Sequence, residues 1–141
     1  MVKPRILSIF LVMLILDQLT KLLIQLLVSQ PIILIPKILS LDKIQNFGAG
    51  FGILQGQRML LIWTSIIVIG LILFYYDQLK KHRWPTALVL AGAVGNLIDR
   101  VFLGYVVDFI NFHFWPAFNV ADSCISIGVV LLFFTQFRKR K

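Results

Sequence analysis

From Met59 to Tyr76 the chain carries no charged residue, and a run of that length leaves few ways to fold. About 20 consecutive apolar residues cross the roughly 30 Å hydrocarbon core of a bilayer as a helix. Three more stretches have the same character. Residues 6–28 are interrupted only by Asp17 and Lys21, residues 84–103 carry Asp99 and Arg100 near their end, and residues 119–137 hold only Asp122. With 59% hydrophobic and 14% charged residues, the chain lies far from the roughly 45–50% apolar and 25% charged averages of soluble domains. The expected fold is an all-α integral membrane protein: four transmembrane helices in one domain spanning residues 1–141. The first stretch has the basic start of a signal peptide, but its apolar part is too long and no small-residue cleavage site follows, so it reads as a retained helix.

The formal net charge of +8 does not point to nucleic acid, because the basic residues neither share a face nor interleave with exposed aromatics. Nine of the 14 Lys and Arg fall instead at segment ends: Lys3 and Arg5, then Lys80, Lys81 and Arg83, then Arg138 to Lys141. The positive-inside rule therefore puts both termini in the cytoplasm and the 29–58 and 104–118 connections outside. The first connection opens with a β-branched, apolar stretch broken by Pro31 and Pro36, which fits short edge strands at the membrane surface, a small extracytoplasmic β-cradle. It continues as Asn46-Phe-Gly-Ala-Gly-Phe-Gly52, whose alternating glycines allow left-handed backbone and close approach. The order G-x-G-x-x-G is absent, so this shaped loop is not a nucleotide motif.

The chain has six acidic residues, all Asp, and three of them lie between Asp99 and Asp122. An ionisable group beside hydrocarbon is costly and is kept mainly where it pairs, binds or reacts. At 1.5 Å per residue, Asp99 lies about 22 Å along the third segment, and Asp122 lies about one turn into the fourth, which runs the opposite way. Asp108 sits in the connection between them, within Val-Val-Asp-Phe-Ile. All three fall in one layer near the outer boundary. Asp122 also reads as an acid in the first turn of a helix capped by Asn119, a role that explains a solvated helix start better than an embedded one. For Asp99, an ion pair with adjacent Arg100 stands beside a chemical role. Asp108 has no basic neighbour in sequence and is the best single candidate. Asp17 and Lys21 are four apart, share a helix face and can pair, so they read as structural. Ala87, Ala91 and Gly95 form a small-residue row that admits another helix closely, and Asp99 continues it.

Other chemistries find little support. His82 and His113 show no metal-ligand spacing, and both read as solvated loop residues. The single Cys124 lies in an apolar run that disfavours a thiolate, which makes it a buried spectator. Two carboxylates a few Å apart share a proton, so the charged one can activate water while the protonated one polarises an amide. That chemistry needs neither metal nor cofactor. The rival readings are an ion-coupled transporter, whose sites sit at the midplane between repeats not seen here, and a helix-packing partner in a larger complex, which leaves Asp108 and Asp122 without a role.

The blocks Asp17-Gln-Leu-Thr-Lys21, Asn46 to Gly52, Gly92-Ala-Val-Gly-Asn-Leu-Ile-Asp-Arg100, Val106-Val-Asp-Phe109 and Phe118-Asn-Val-Ala-Asp122 resemble, in order and spacing, the successive signatures of lipoprotein signal peptidases, the signal peptidase II family. The resemblance implies a bacterial inner-membrane aspartic endopeptidase, acting as a monomer among membrane lipid. It would cleave a diacylglyceryl-modified prolipoprotein just before the lipidated cysteine. It further implies Asp108 and Asp122 as the catalytic dyad, Asn46, Gly48, Asn96, Arg100 and Asn119 as substrate-site residues, and Asp17, Lys21 and Asp99 as structural support. Gly50 stands where that family's block usually carries alanine.

Overall fold

The computed structural model describes residues 4–79 and 83–137. Lys3, Lys80, Lys81, His82 and Arg138 to Lys141, which carry most of the topology signal, lie outside them. In chain order the elements are α1 (Pro4–Leu27), β1 (Ile32–Ile35), β2 (Leu39–Asn46), a 3-10 turn (Gly50–Gly52), α2 (Arg58–Phe74), α3 (Arg83–Phe102), β3 (Val106–Phe112) and α4 (Val120–Phe137). The four helices fall on the four apolar stretches. By length and composition α1 and α3 can each cross a membrane, whereas α2 and the apolar part of α4 are shorter. The outer face of α1 exposes Leu7, Leu11, Ile15, Leu22 and Leu26, a continuous apolar surface that a water-soluble monomer would not carry.

Helix α3 is the hub, packed against α1, α2 and α4. Its small residues explain how. A side chain on Gly92 would collide with the Ala121 carbonyl of α4, and one on Gly128 of α4 would come within 2.6 Å of Val89 and 2.8 Å of the Pro85 carbonyl. The two backbones thus approach through reciprocal glycines, a packing mode suited to lipid, where no hydrophobic force drives helices together. Ala87, Ala91, Gly95 and Asp99 all lie on the buried side of α3.

The expected cradle is a three-stranded antiparallel sheet in the order β1-β2-β3. Its third strand comes from the second connection, which sequence reading left as a link. Strand β1 is the free edge, and all four of its apolar side chains are exposed. In β3, successive side chains alternate between faces. Val107 and Phe109 turn down onto Ile24 and Val28 at the end of α1, so Asp108 between them turns the other way.

Candidate active site

Two acidic clusters form where α1, α3, α4 and β3 meet. In the first, the buried Lys21 ammonium lies 2.8 Å from Asp17 and 2.9 Å from Asp99 and donates to Asn96 Oδ1 at 3.0 Å. Its three N–H donors therefore have three acceptors. Asp17 accepts further from Gln18 Nε2 and from the backbone N–H of Ala121 at 2.8 Å, and Asp99 accepts from Gln18 and from Val107 N–H. The Asp17–Lys21 pair is as expected. Asp99, however, pairs with Lys21 across the helix interface and not with Arg100. Adjacent residues on a helix point about 100° apart, so sequence neighbours do not face each other. Arg100 turns outward and donates to the Gly48 carbonyl at 3.2 Å, tethering the glycine loop to α3.

The second cluster holds Asp108 and Asp122 with neutral amides alone. Asn46 Nδ2 donates to Asp108 Oδ2 at 2.8 Å and Asn119 Nδ2 to Asp108 Oδ1 at 2.7 Å. The register explains the first contact: Asp108 is opposite Ile44, and Asn46, two residues on, is its diagonal neighbour on the same face. Asp122 accepts from Asn96 Nδ2 at 2.8 Å and from the Asn119 backbone N–H at 3.2 Å, while its own N–H donates to Asn119 Oδ1 at 2.9 Å. The two last bonds make a reciprocal helix cap. Asp122 is thus both a cap residue and a member of the cluster; one role does not exclude the other. Asn119 is fully buried and touches both carboxylates.

Both carboxylates line a cavity of about 500 Å³, together with Asn46, Asn96, Arg100 and Gly50. Burial pushes the Asp108 carboxyl up to about 7; the charge of Asp122 adds to the rise, and donation from Asn46 and Asn119 opposes it. A carboxylate pair tuned this way can share one proton at neutral pH while presenting one basic oxygen to a water. Among the described residues, no group of three or more His, Cys or acidic side chains is arranged to hold a metal ion.

The sequence pattern of signal peptidase II matches residues 9–138 of this chain. The chain belongs to the signal peptidase II family. A protein named lipoprotein signal peptidase from Halothermothrix orenii is 42% identical over 136 residues, covering 93% of this chain and 94% of that one. Another of that name, from Pseudomonas aeruginosa, is 42% identical over 142 residues, with 90% and 84% covered. A solved bacterial membrane enzyme superposes with a TM-score of 0.89 at 31% identity, covering 97% of this chain and 90% of the other. Signal peptidase II is a protease family, and the chain is a membrane enzyme of that family.

Every residue singled out for the signal peptidase II site converges at this end of the bundle. Of the glycines in the shaped loop, only Gly52 has a left-handed backbone, with φ 71°. Gly48 is needed for close approach, since a Cβ there would lie 2.6 Å from the Ile53 carbonyl, and Gly50 meets neither constraint, having nothing within 4 Å of a built Cβ. Cys124 is buried and free; His113 is exposed, its Nε2 3.3 Å from the Ser40 hydroxyl. Two residues escaped sequence reading. Gln18 joins Asp17 to Asp99, and an amide in a hydrocarbon-crossing segment was its signal. Arg58 donates to the carbonyls of Arg100 and Val101 at 2.8 and 2.9 Å, closing the end of α3 where Gly104 turns with φ 88°. A basic residue at a segment boundary gave no hint of that.

Proposed function

We propose that Asp108 and Asp122 are the catalytic pair of an aspartic endopeptidase that removes signal peptides from prolipoproteins, cutting before the lipidated cysteine. The carrying observation is that two carboxylates from different elements, joined through Asn119, meet at one cavity with no cation donating to either. The charged carboxylate takes a proton from water, whose oxygen attacks the scissile carbonyl. The protonated partner polarises that carbonyl and then delivers its proton to the departing amine as the C–N bond breaks. Asn46, Asn96 and Asn119 fix the carboxylates, while Arg100 and Gly48 shape the wall against which substrate backbone lies. One chain supplies both carboxylates, so a monomer suffices, with α1 to α4 all crossing the membrane and both termini in the cytoplasm.

Purified protein in detergent, given a diacylglyceryl-modified prolipoprotein, is expected to release the signal peptide with chelator present. Loss of cleavage on adding EDTA, restored by zinc, overturns the two-carboxylate mechanism. Reporter fusions near Lys43 and His113 are expected outside and one at Lys141 inside; a cytoplasmic Lys43 overturns the topology.

A further inference from the structure

At the end of the bundle away from the acidic clusters, α1 and α2 both lean on α3 and leave a gap between them. A cavity of about 270 Å³ opens there, walled by Ile6, Leu7 and Phe10 of α1, by Leu73 of α2 and Tyr76 just past its end, and floored by Ala87 and Leu90 of α3. Its lining is almost wholly apolar, with one exception at its rim. The Tyr76 hydroxyl and Arg83 Nε are shielded from solvent and have no hydrogen-bond partner among the described residues. The Arg83 guanidinium carbon lies 5.4 Å from the centre of the Tyr76 ring, and Ala87 is one turn further along α3. Two shielded donors without acceptors, one of them cationic, are costly next to hydrocarbon.

One turn of a helix with its side chains fills roughly 400 Å³ or more, so the cavity is too small for a peptide helix and suits an alkyl chain. The rim calls for an anionic oxygen. We propose that this groove binds one anionic glycerophospholipid, its acyl chain between α1 and α2 over Ala87 and its phosphate against Arg83 and the Tyr76 hydroxyl. Basic pockets between helices at a bundle end recognise anionic headgroups in this manner. The site is separate from the carboxylates, so it stands or falls independently of the proposed proteolysis.

Native mass spectrometry of the full chain, exchanged into detergent with equal amounts of phosphatidylglycerol and phosphatidylcholine of identical chains, reads the site directly. The expected result is one retained lipid with phosphatidylglycerol favoured about fivefold or more, the worth of one cation beside an anionic headgroup. Arg83→Gln should abolish that preference and leave prolipoprotein cleavage in phosphatidylcholine unchanged. Ala87→Phe should expel lipid of both kinds. Should that variant fail to fold, Leu7→Trp, at a half-exposed wall position, fills the groove from its outer side with the same expected loss. Glycerol phosphate, which lacks the chains, should not compete. Equal retention of the two lipids, an unchanged preference in Arg83→Gln, or full retention in a folded groove-filling variant overturns the proposal.

Discussion

The two acidic clusters use the same residue type, share Asn96 as a wall and lie in one layer, yet they are built on opposite principles. Asp17 and Asp99 close around the Lys21 ammonium, and both take further hydrogen bonds from amide N–H donors. Asp108 and Asp122 receive only amide N–H groups and face a cavity. A lysine between carboxylates offsets their charge as well as fixing their position. Neutral donors fix only their position. A membrane protein can therefore hold four carboxylates close together, two paired with a cation and two held by neutral donors beside a cavity.

The largest effect that tests this contrast is on turnover. Asp108→Asn and Asp122→Asn keep shape and remove the exchangeable proton, so each should lower prolipoprotein cleavage at least about 10⁴-fold, with the double variant no worse than either single one. Thermal unfolding in detergent should show both still folded. A folded single variant that cleaves near the parent rate would erase the distinction between the clusters.

The same substitution in the other cluster should act on stability instead. Lys21→Met leaves two buried carboxylates without their cation, which costs about 3–5 kcal/mol; Asp17→Asn or Asp99→Asn leaves Lys21 one carboxylate partner and should cost less. Denaturation midpoints would reveal it, and a variant of normal stability but absent activity would mean that the lysine cluster takes part in the chemistry.

Much of this was legible before any coordinates. The spacing of Asp17 and Lys21 announces a helical pair, and the layer of Asp99, Asp108 and Asp122 follows from helix rise alone. What spacing could not give was choice among partners at equal depth. Lys21 reaches Asp99 because Gly95, a turn before it on α3, leaves no side chain to hold α1 away; a Cβ there would collide with the Asp17 carboxylate. Nor did the Val-Val-Asp-Phe-Ile stretch declare itself a strand, since its pairing partner β2 lies more than 60 residues earlier and only that pairing decides which way Asp108 turns. Gly95→Ala should accordingly cost about 1–3 kcal/mol, whereas Gly50→Ala, with open space around its Cβ, should stay within about 0.5 kcal/mol.

The smallest effect is on pH dependence. A carboxyl raised to about 7 in the folded chain contributes stability that is complete below the ordinary carboxylate range and is lost as pH rises through about 7. Unfolding temperatures of the parent should fall over that window, less so in Asp108→Asn. Cleavage should decline above the same pH, because the pair then loses its shared proton. A parent whose stability and rate are flat from pH 5 to about 8 would show that the Asp108 carboxyl is not raised in the folded chain.

The bond from the Ala121 amide to Asp17 has a consequence for the order of events in biosynthesis. It joins α1 to α4, and the same short stretch at the start of α4 brings Asn119 and Asp122. A nascent chain with three helices inserted has Asp108 but neither the second carboxylate nor the asparagine that aligns them. On the proposed assignment, hydrolytic competence therefore arrives in one step, when α4 packs against the other helices.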